Sequence, residues 1–143
     1  MILPDINLLL YANNPAAREH TIARNWLDSV LHGSELIGLC WPVLCGFLRI
    51  STSPRAFLDP LSMLEATSIV DDWMSRTSVV VLSPTDNHWV VLSQLLKEAR
   101  ISGPMTSDAE IAAYATEHGA VLYTADHGFR RFPRLQLVNP LVP

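Results

Sequence analysis

Leu3-Pro4-Asp5-Ile6-Asn7 opens the chain with a short apolar stretch that runs straight into an acid. Leu3 to Asp5 reads as a short buried strand ending in a carboxylate. A buried acid needs a partner, and Asn7 is the nearby candidate to orient it. Four further apolar segments match that first one. Leu36 to Cys40, the β-branched run Val79 to Leu82, Ala120 to Thr124 and Leu135 to Val138 all read as strands. Helical patterns separate them. Short apolar strands alternating with amphipathic helices predict an α/β fold, an α/β/α sandwich around a mainly parallel central sheet.

The helix boundaries come from Pro, Gly and capping residues. Asn14-Pro15 predicts a helix start, and Ile22, Ala23, Trp26, Leu27, Val30 and Leu31 recur at helical spacing before Gly33. Pro42 predicts a second start, with Val43, Leu44, Phe47 and Leu48 facing inward and Ser53-Pro54 closing it. Asp59-Pro60 and Ser83-Pro84 repeat the start signal for helices towards Trp73 and through Trp89 to Leu96. After the break at Ser102-Gly103-Pro104, a helix spans about Asp108 to Glu117 and ends at Gly119. No repeat, low-complexity run or linker divides the 143 residues, so residues 1–143 are expected to form a single domain.

Composition narrows the function. Apolar residues make up 49% of the chain, ample for a packed core. No apolar run approaches the roughly 18 residues that would cross a bilayer. The N-terminal segment lacks a basic signal-peptide start, so a cytoplasmic location is expected. Cys40 and Cys45 lack metal-type spacing partners and read as small core residues rather than a disulfide. The net charge of -4 argues against a general nucleic-acid coat protein. It does not argue against a nuclease that gathers acids around a cation and keeps a local basic rim. Arg130, Arg131 and Arg134 supply a basic cluster suited to phosphate, with surface ion pairing as the plainer reading.

In open parallel sheets, ligands gather beyond the carboxyl ends of the strands. Asp5 and Asp126 fall at such ends, and Asp108 opens the helix before the strand at Ala120. Three carboxylates brought together repel one another, and a divalent cation removes that penalty. Mg²⁺ suits the set, because it takes one or two carboxylates, keeps several waters and accepts phosphate oxygens. Each acid also has a local reading. Asp108 is favoured by a helix N-terminus alone. Ser107-Asp108-Ala109-Glu110 fits a capping box, which makes Glu110 a cap rather than a ligand. Asp126-His127-Gly128 is turn-like. The five histidines form no zinc-type pair; His20 and His88 read as structural, and His127 adjoins Asp126. There is no Gly-rich phosphate loop and no nucleophile-elbow serine.

Leu3-Pro4-Asp5-Ile6-Asn7-Leu8-Leu9-Leu10-Tyr11-Ala12 resembles the opening strand and helix of PIN-domain ribonucleases, in particular the VapC toxins of VapBC toxin–antitoxin pairs. Trp41 to Thr52, Thr106 to Ala115, Thr124 to Pro133 and Asn139-Pro140-Leu141 are similar to later segments of a VapC subgroup, in the same order. The resemblance implies a PIN-like α/β/α fold, a Mg²⁺ or Mn²⁺ site of clustered acids and endonucleolytic cleavage of RNA. It also implies a homodimer, and inhibition by a small VapB-type antitoxin lying across the acidic groove. By position, Asp5, Asp108 and Asp126 match the family's catalytic, metal-holding acids. Gly46 and Gly128 stand where many members carry further acids. An acid restored at Gly46 is expected to tighten cation binding if that position faces the site.

Two other functions compete. A degenerate PIN domain would bind RNA or antitoxin without cutting, as the glycines at 46 and 128 suggest. An aspartyl phosphatase would use Asp5 as its nucleophile, but its phosphate-holding lysine has only Lys97, mid-helix and without a supporting motif, to draw on.

Overall fold

The computed structural model describes residues 1–143. Its five strands are β1 (Ile2–Pro4), β2 (Ile37–Cys40), β3 (Val79–Leu82), β4 (Val121–Tyr123) and β5 (Leu137–Val138). Its six helices are α1 (Ile6–Ala12), α2 (His20–Leu31), α3 (Trp41–Ser51), α4 (Met63–Ser75), α5 (His88–Ala99) and α6 (Thr106–His118). Single 3-10 turns at Gly103–Met105 and His127–Arg131 complete the chain's regular structure.

The sheet order is β3-β2-β1-β4-β5, with every pairing parallel. The expected α/β/α arrangement is therefore present, and the sheet is wholly rather than mainly parallel. From β1 the chain builds outwards through β2 to β3, then returns to place β4 on the other side of β1. The order reverses between β1 and β4, so this is where a crevice opens at the carboxyl ends of the strands. The register pairs Pro4 with Tyr123, and the Asp5 amide donates to the Tyr123 carbonyl at 2.9 Å. The residues just after both strands are thereby fixed beside each other.

The core is one cluster of 28 buried apolar residues drawn from the sheet and all six helices. Ala23, Leu27 and Leu31 form the buried stripe of α2 at four-residue spacing. Val43, Leu44 and Phe47 do the same for α3, and Phe47 packs on Trp73 of α4 with ring centroids 4.9 Å apart. Trp26 stacks on Tyr123. Trp41 and Trp89 instead lie on the surface, 51% and 69% exposed.

Several boundaries differ from the sequence reading, each for a local reason. Asn14-Pro15 makes a turn, because the Asn14 side chain accepts from the Ala16 amide at 3.1 Å, and α2 starts only at His20. α2 ends at Leu31 with His32 as its cap, so Gly33 lies beyond it. Asp59-Pro60 precedes α4 without capping it. The cap is Ser62, in a reciprocal box with Glu65 at 3.0 Å both ways. Ser83-Pro84 also precedes its helix, whose cap position is Asn87. The capping box expected at Ser107 and Glu110 does not form. The 3-10 turn at Gly103–Met105 runs directly into α6, which begins at Thr106, so Ser107 is already inside the helix. Gly119 ends α6 in the left-handed region, φ 62°, as expected of its type. Cys40 is a core residue with its thiol pushed up to about 12, chiefly by burial, whereas Cys45 is free and exposed.

Candidate active site at the carboxyl edge of the sheet

Asp5 is the N-cap of α1 rather than the last residue of β1. Pro4 ends the strand, and the Asp5 carboxylate turns back so that Oδ1 accepts from the Ile6 amide at 2.7 Å. Its other oxygen, Oδ2, accepts from Thr124 Oγ1 at 2.8 Å. The residue is only 4% exposed. Asn7, proposed above as its partner, makes no hydrogen bond to it; Thr124 has that role. Thr124 follows β4, and its hydroxyl also accepts from the Asp126 amide at 2.9 Å. One threonine thus ties the first acid of the chain to the loop that carries the last.

Asp126 caps the 3-10 turn at His127–Arg131, with Oδ1 accepting from the Gly128 amide at 2.8 Å. That leaves its second oxygen free at an exposed position. Asp108 lies in the first turn of α6, half-buried. The three acids share one electrostatic field. Burial raises the Asp5 carboxyl from 3.8 to about 6; the hydrogen bonds from Thr124 and Ile6 pull against that, and the charges of Asp108 and Asp126 add to it. Burial and the Asp126 charge push Asp108 up as well. Burial first, then the charges of Glu19, Asp5 and Asp126, raise the hydroxyl of Tyr11 on α1.

The acids do not close into a cage: no three His, Cys, Asp or Glu side chains converge tightly enough to enclose a metal ion. The donor set fits a hard cation that keeps much of its water. Asp5 is fixed by two hydrogen bonds, while Asp108 and one oxygen of Asp126 are open to a cation or its waters. Asp5 and Asp108, raised by burial first and by neighbouring charge second, are carboxylates whose charged forms a cation would favour.

The two glycines at acid positions differ. A Cβ on Gly46 would lie 2.4 Å from Ile6 Cδ1, so the space beside α3 where an acid would start is filled by the residue after Asp5. A Cβ on Gly128 would meet Asp126 Oδ1 at 3.1 Å. Glu110 is half-buried and its charge bears on Cys40 and Tyr114. His20 donates from Nδ1 to the Tyr11 carbonyl at 2.8 Å. His88 Nδ1 sits 2.6 Å from Glu117 Oε2, whose side chain is 1% exposed. Both histidines therefore have structural partners. Thr124 and Tyr11 were missed by the sequence reading. A threonine ending the apolar stretch Ala120 to Thr124 reads as a strand former, and a tyrosine on an apolar helix reads as core.

Beside Asp126, between the turn at His127–Arg131 and β5, lies an open cleft of about 280 Å³. No helix of the chain is long and apolar enough to cross a membrane.

Residues 2–135 match the model of the PIN domain family. Ribonuclease VapC33 of Mycobacterium tuberculosis is 38% identical over 141 residues, covering 99% of both chains. Ribonuclease VapC43 of the same species is 37% identical over 141 residues, covering 99% of this chain and 96% of its own. Among solved structures, the VapBC2 complex of Rickettsia felis bound to a promoter DNA fragment superposes with a TM-score of 0.70 at 22% identity, covering 97% of this chain and 98% of the other. VapC20 of Mycobacterium tuberculosis, a sarcin-ricin loop cleaving toxin, gives 0.67 at 16% identity, covering 95% and 99%. These two structural likenesses concern the fold.

Proposed function

Because the chain belongs to the PIN domain family, we propose that it is the toxin of a toxin–antitoxin pair, an endoribonuclease that hydrolyses RNA phosphodiester bonds with Mg²⁺ or Mn²⁺ at Asp5, Asp108 and Asp126. The observation that carries this reading is that Asp5, Asp108 and Asp126 lie within one another's electrostatic reach at the carboxyl edge of the sheet: burial raises Asp5 and Asp108 first, and the charges of the other acids add to it. The full-length relatives that are named ribonucleases support the same reaction class.

Asp5 and Asp108 would hold the cation, with Asp126 engaging it directly or through water. When bound, the ion supplies Lewis acidity towards the phosphate and lowers the pKa of a coordinated water. The protein's own part is placement. Thr124 and the Ile6 amide fix the Asp5 carboxylate, so that it is set by the sheet rather than by a mobile loop. Calorimetry with Mn²⁺ on wild type and Asp108→Asn tests the ligand set; equal affinities would remove Asp108 from it.

Two partners follow. Solved neighbours are toxin–antitoxin complexes, which supports a VapB-type antitoxin whose strand or helix lies across the acidic groove. Exposed Trp89 and Val90 on α5, with exposed Val81 on the edge strand β3, support a homodimer. Light scattering that gives a monomer at every concentration defeats the dimer.

The deciding experiment is cleavage of tRNA and ribosomal RNA by the free protein, with Mg²⁺ or Mn²⁺, with chelator, and with Asp5→Asn. Cutting that stops in chelator and in Asp5→Asn is expected; cutting that persists in either points to another nuclease. A second reading, a PIN domain that binds RNA or antitoxin without cleaving, draws on the open arrangement of the acids. Folded wild type that cuts neither RNA favours it.

A further inference from the structure

The cleft beside Asp126 has features that the three acids do not use. Its apolar lining includes Leu137, Val138 and Val142, and Val138 and Val142 are 39% and 60% exposed. Its polar lining is Thr124, Asp126, His127, Arg130 and Asn139. Asn139 Oδ1 is occupied, accepting from the Leu141 amide at 3.0 Å, which leaves the two N–H donors of its amide for a ligand. Of the three arginines in this stretch, Arg131 reaches Met105 Sδ and Arg134 pairs with Glu98 at 3.3 Å. Arg130 has neither hydrogen bond nor ion pair within the protein, although it lines the cleft together with the Asp126 carboxylate. A volume of about 280 Å³ lies below the range of most drug-sized pockets, and suits one planar ring with its attached groups.

We propose that this cleft is a nucleotide subsite, which seats one base of single-stranded RNA beside the bond to be cut. The base plane lies on Val138 and Val142, the Asn139 amide donates to the base edge, and the Arg130 guanidinium takes the adjoining phosphate in a two-point contact. The subsite would draw the strand along the β4–β5 edge, past Asp126 and towards Asp5. The inference rests on the ribonuclease reading for the identity of its ligand, and its test separates the two.

The probe is a short fluorescein-labelled single-stranded RNA of mixed sequence, titrated by anisotropy against full-length Asp5→Asn protein. Added to that background, Arg130→Gln is expected to weaken binding roughly tenfold, as for loss of one charge-assisted contact. It should also lower the slope of log affinity against log salt by about 0.7, the single-strand value for one phosphate. Asn139→Asp keeps the bond to the Leu141 amide but puts a negative charge in the cleft, and should weaken binding at least as much. Arg76→Gln, just before β3 at the opposite edge of the sheet, should leave affinity unchanged. In the active background the first two variants should raise KM more than they lower kcat. Unchanged affinity in both, while wild type cuts RNA, overturns the subsite and leaves the ribonuclease reading intact. Binding that depends on Arg130 in a wild type that cuts nothing upholds the subsite and removes the cleavage. No RNA binding at all overturns the subsite.

Discussion

Thr124 Oγ1 donates to Asp5 Oδ2 at 2.8 Å, across 119 residues of chain. The same oxygen accepts from the Asp126 amide at 2.9 Å. A single hydroxyl therefore serves as donor to one acid and acceptor for the loop of another, both at the boundary between β1 and β4. Parallel pairing makes this possible, because it brings the carboxyl ends of two strands distant in sequence to the same edge.

Thr124→Val should move the acid limb of the activity profile. Valine keeps the shape and the β-branch but supplies neither donor nor acceptor. Asp5, already raised to about 6, loses a hydrogen bond that favours its charged form and should be raised further. The pH–rate profile of Thr124→Val should therefore rise at higher pH than that of wild type, and Thr124→Ser should restore it. Stability should fall by about 1–3 kcal/mol, as for a buried polar group left unsatisfied. An unmoved acid limb would mean that Thr124 is merely packing.

Asp5 should make the apo fold less stable as pH rises. Its folded-state pKa lies above its ordinary value of 3.8, so between pH 4 and about 6 the folded protein binds more protons than the unfolded chain. Stability falls through that window and the loss persists above it. The full difference is on the order of 3 kcal/mol. Asp5→Asn retains the shape without the charge. In chelator, denaturant titrations should find the variant more stable than wild type at pH 8, with the gain vanishing towards pH 4. A variant no more stable than wild type at pH 8 refutes the burial cost assigned to Asp5.

What the sequence disclosed follows from how far each interaction reaches. The β-branched run Val79–Leu82 and the left-handed Gly119 are local signals, and both appear where local chemistry puts them. Asp5 was legible as an acid next to an apolar strand. Its partner was not, since Asn7 is near in sequence and Thr124 is near only once β4 lies beside β1. Three Pro dipeptides misled in one way. Asn14-Pro15, Asp59-Pro60 and Ser83-Pro84 each stiffen a turn that leads towards a helix, and the caps come later. The free Arg130 could not be told from Arg131 and Arg134 either, because their partners lie on other elements.

Glu117 should be the residue on which the α5–α6 pair depends. Its side chain is 1% exposed and accepts from the Thr85 amide at 2.9 Å, from Thr85 Oγ1 at 2.6 Å and from His88 at 2.6 Å. Burial raises its pKa, but the bonds from Thr85 and His88 outweigh that, and the carboxyl lies below its ordinary value. A lowered folded-state pKa contributes stability above the unfolded value and loses it as pH falls through the folded one. Glu117→Gln should cost about 1–3 kcal/mol at pH 7. The difference from wild type should shrink in acid. Denaturant midpoints at pH 7 and pH 3 measure both; an equal loss at the two values would show that the charge is immaterial.

Gly46→Glu alone should not rebuild a stronger cation site. A Cβ there would fall 2.4 Å from Ile6 Cδ1, far inside contact distance. The obstacle is the end of a flexible side chain, so the chain can yield, but only by moving the residue that follows Asp5 and donates its amide to the Asp5 carboxylate. Overpacking of this kind costs typically about 1–3 kcal/mol. The single variant should therefore lose stability by about that amount and bind Mn²⁺ no better than wild type. Ile6→Ala removes the obstructing atoms while keeping the backbone amide. The double variant Ile6→Ala with Gly46→Glu should recover part of the loss relative to Gly46→Glu, and calorimetry should find its Mn²⁺ affinity above that of wild type. A non-additive gain is the signature of two residues competing for one space. Tighter Mn²⁺ binding by Gly46→Glu without the second change would show that Ile6 moves aside unaided; no gain in the double variant would show that position 46 does not face the acids at all.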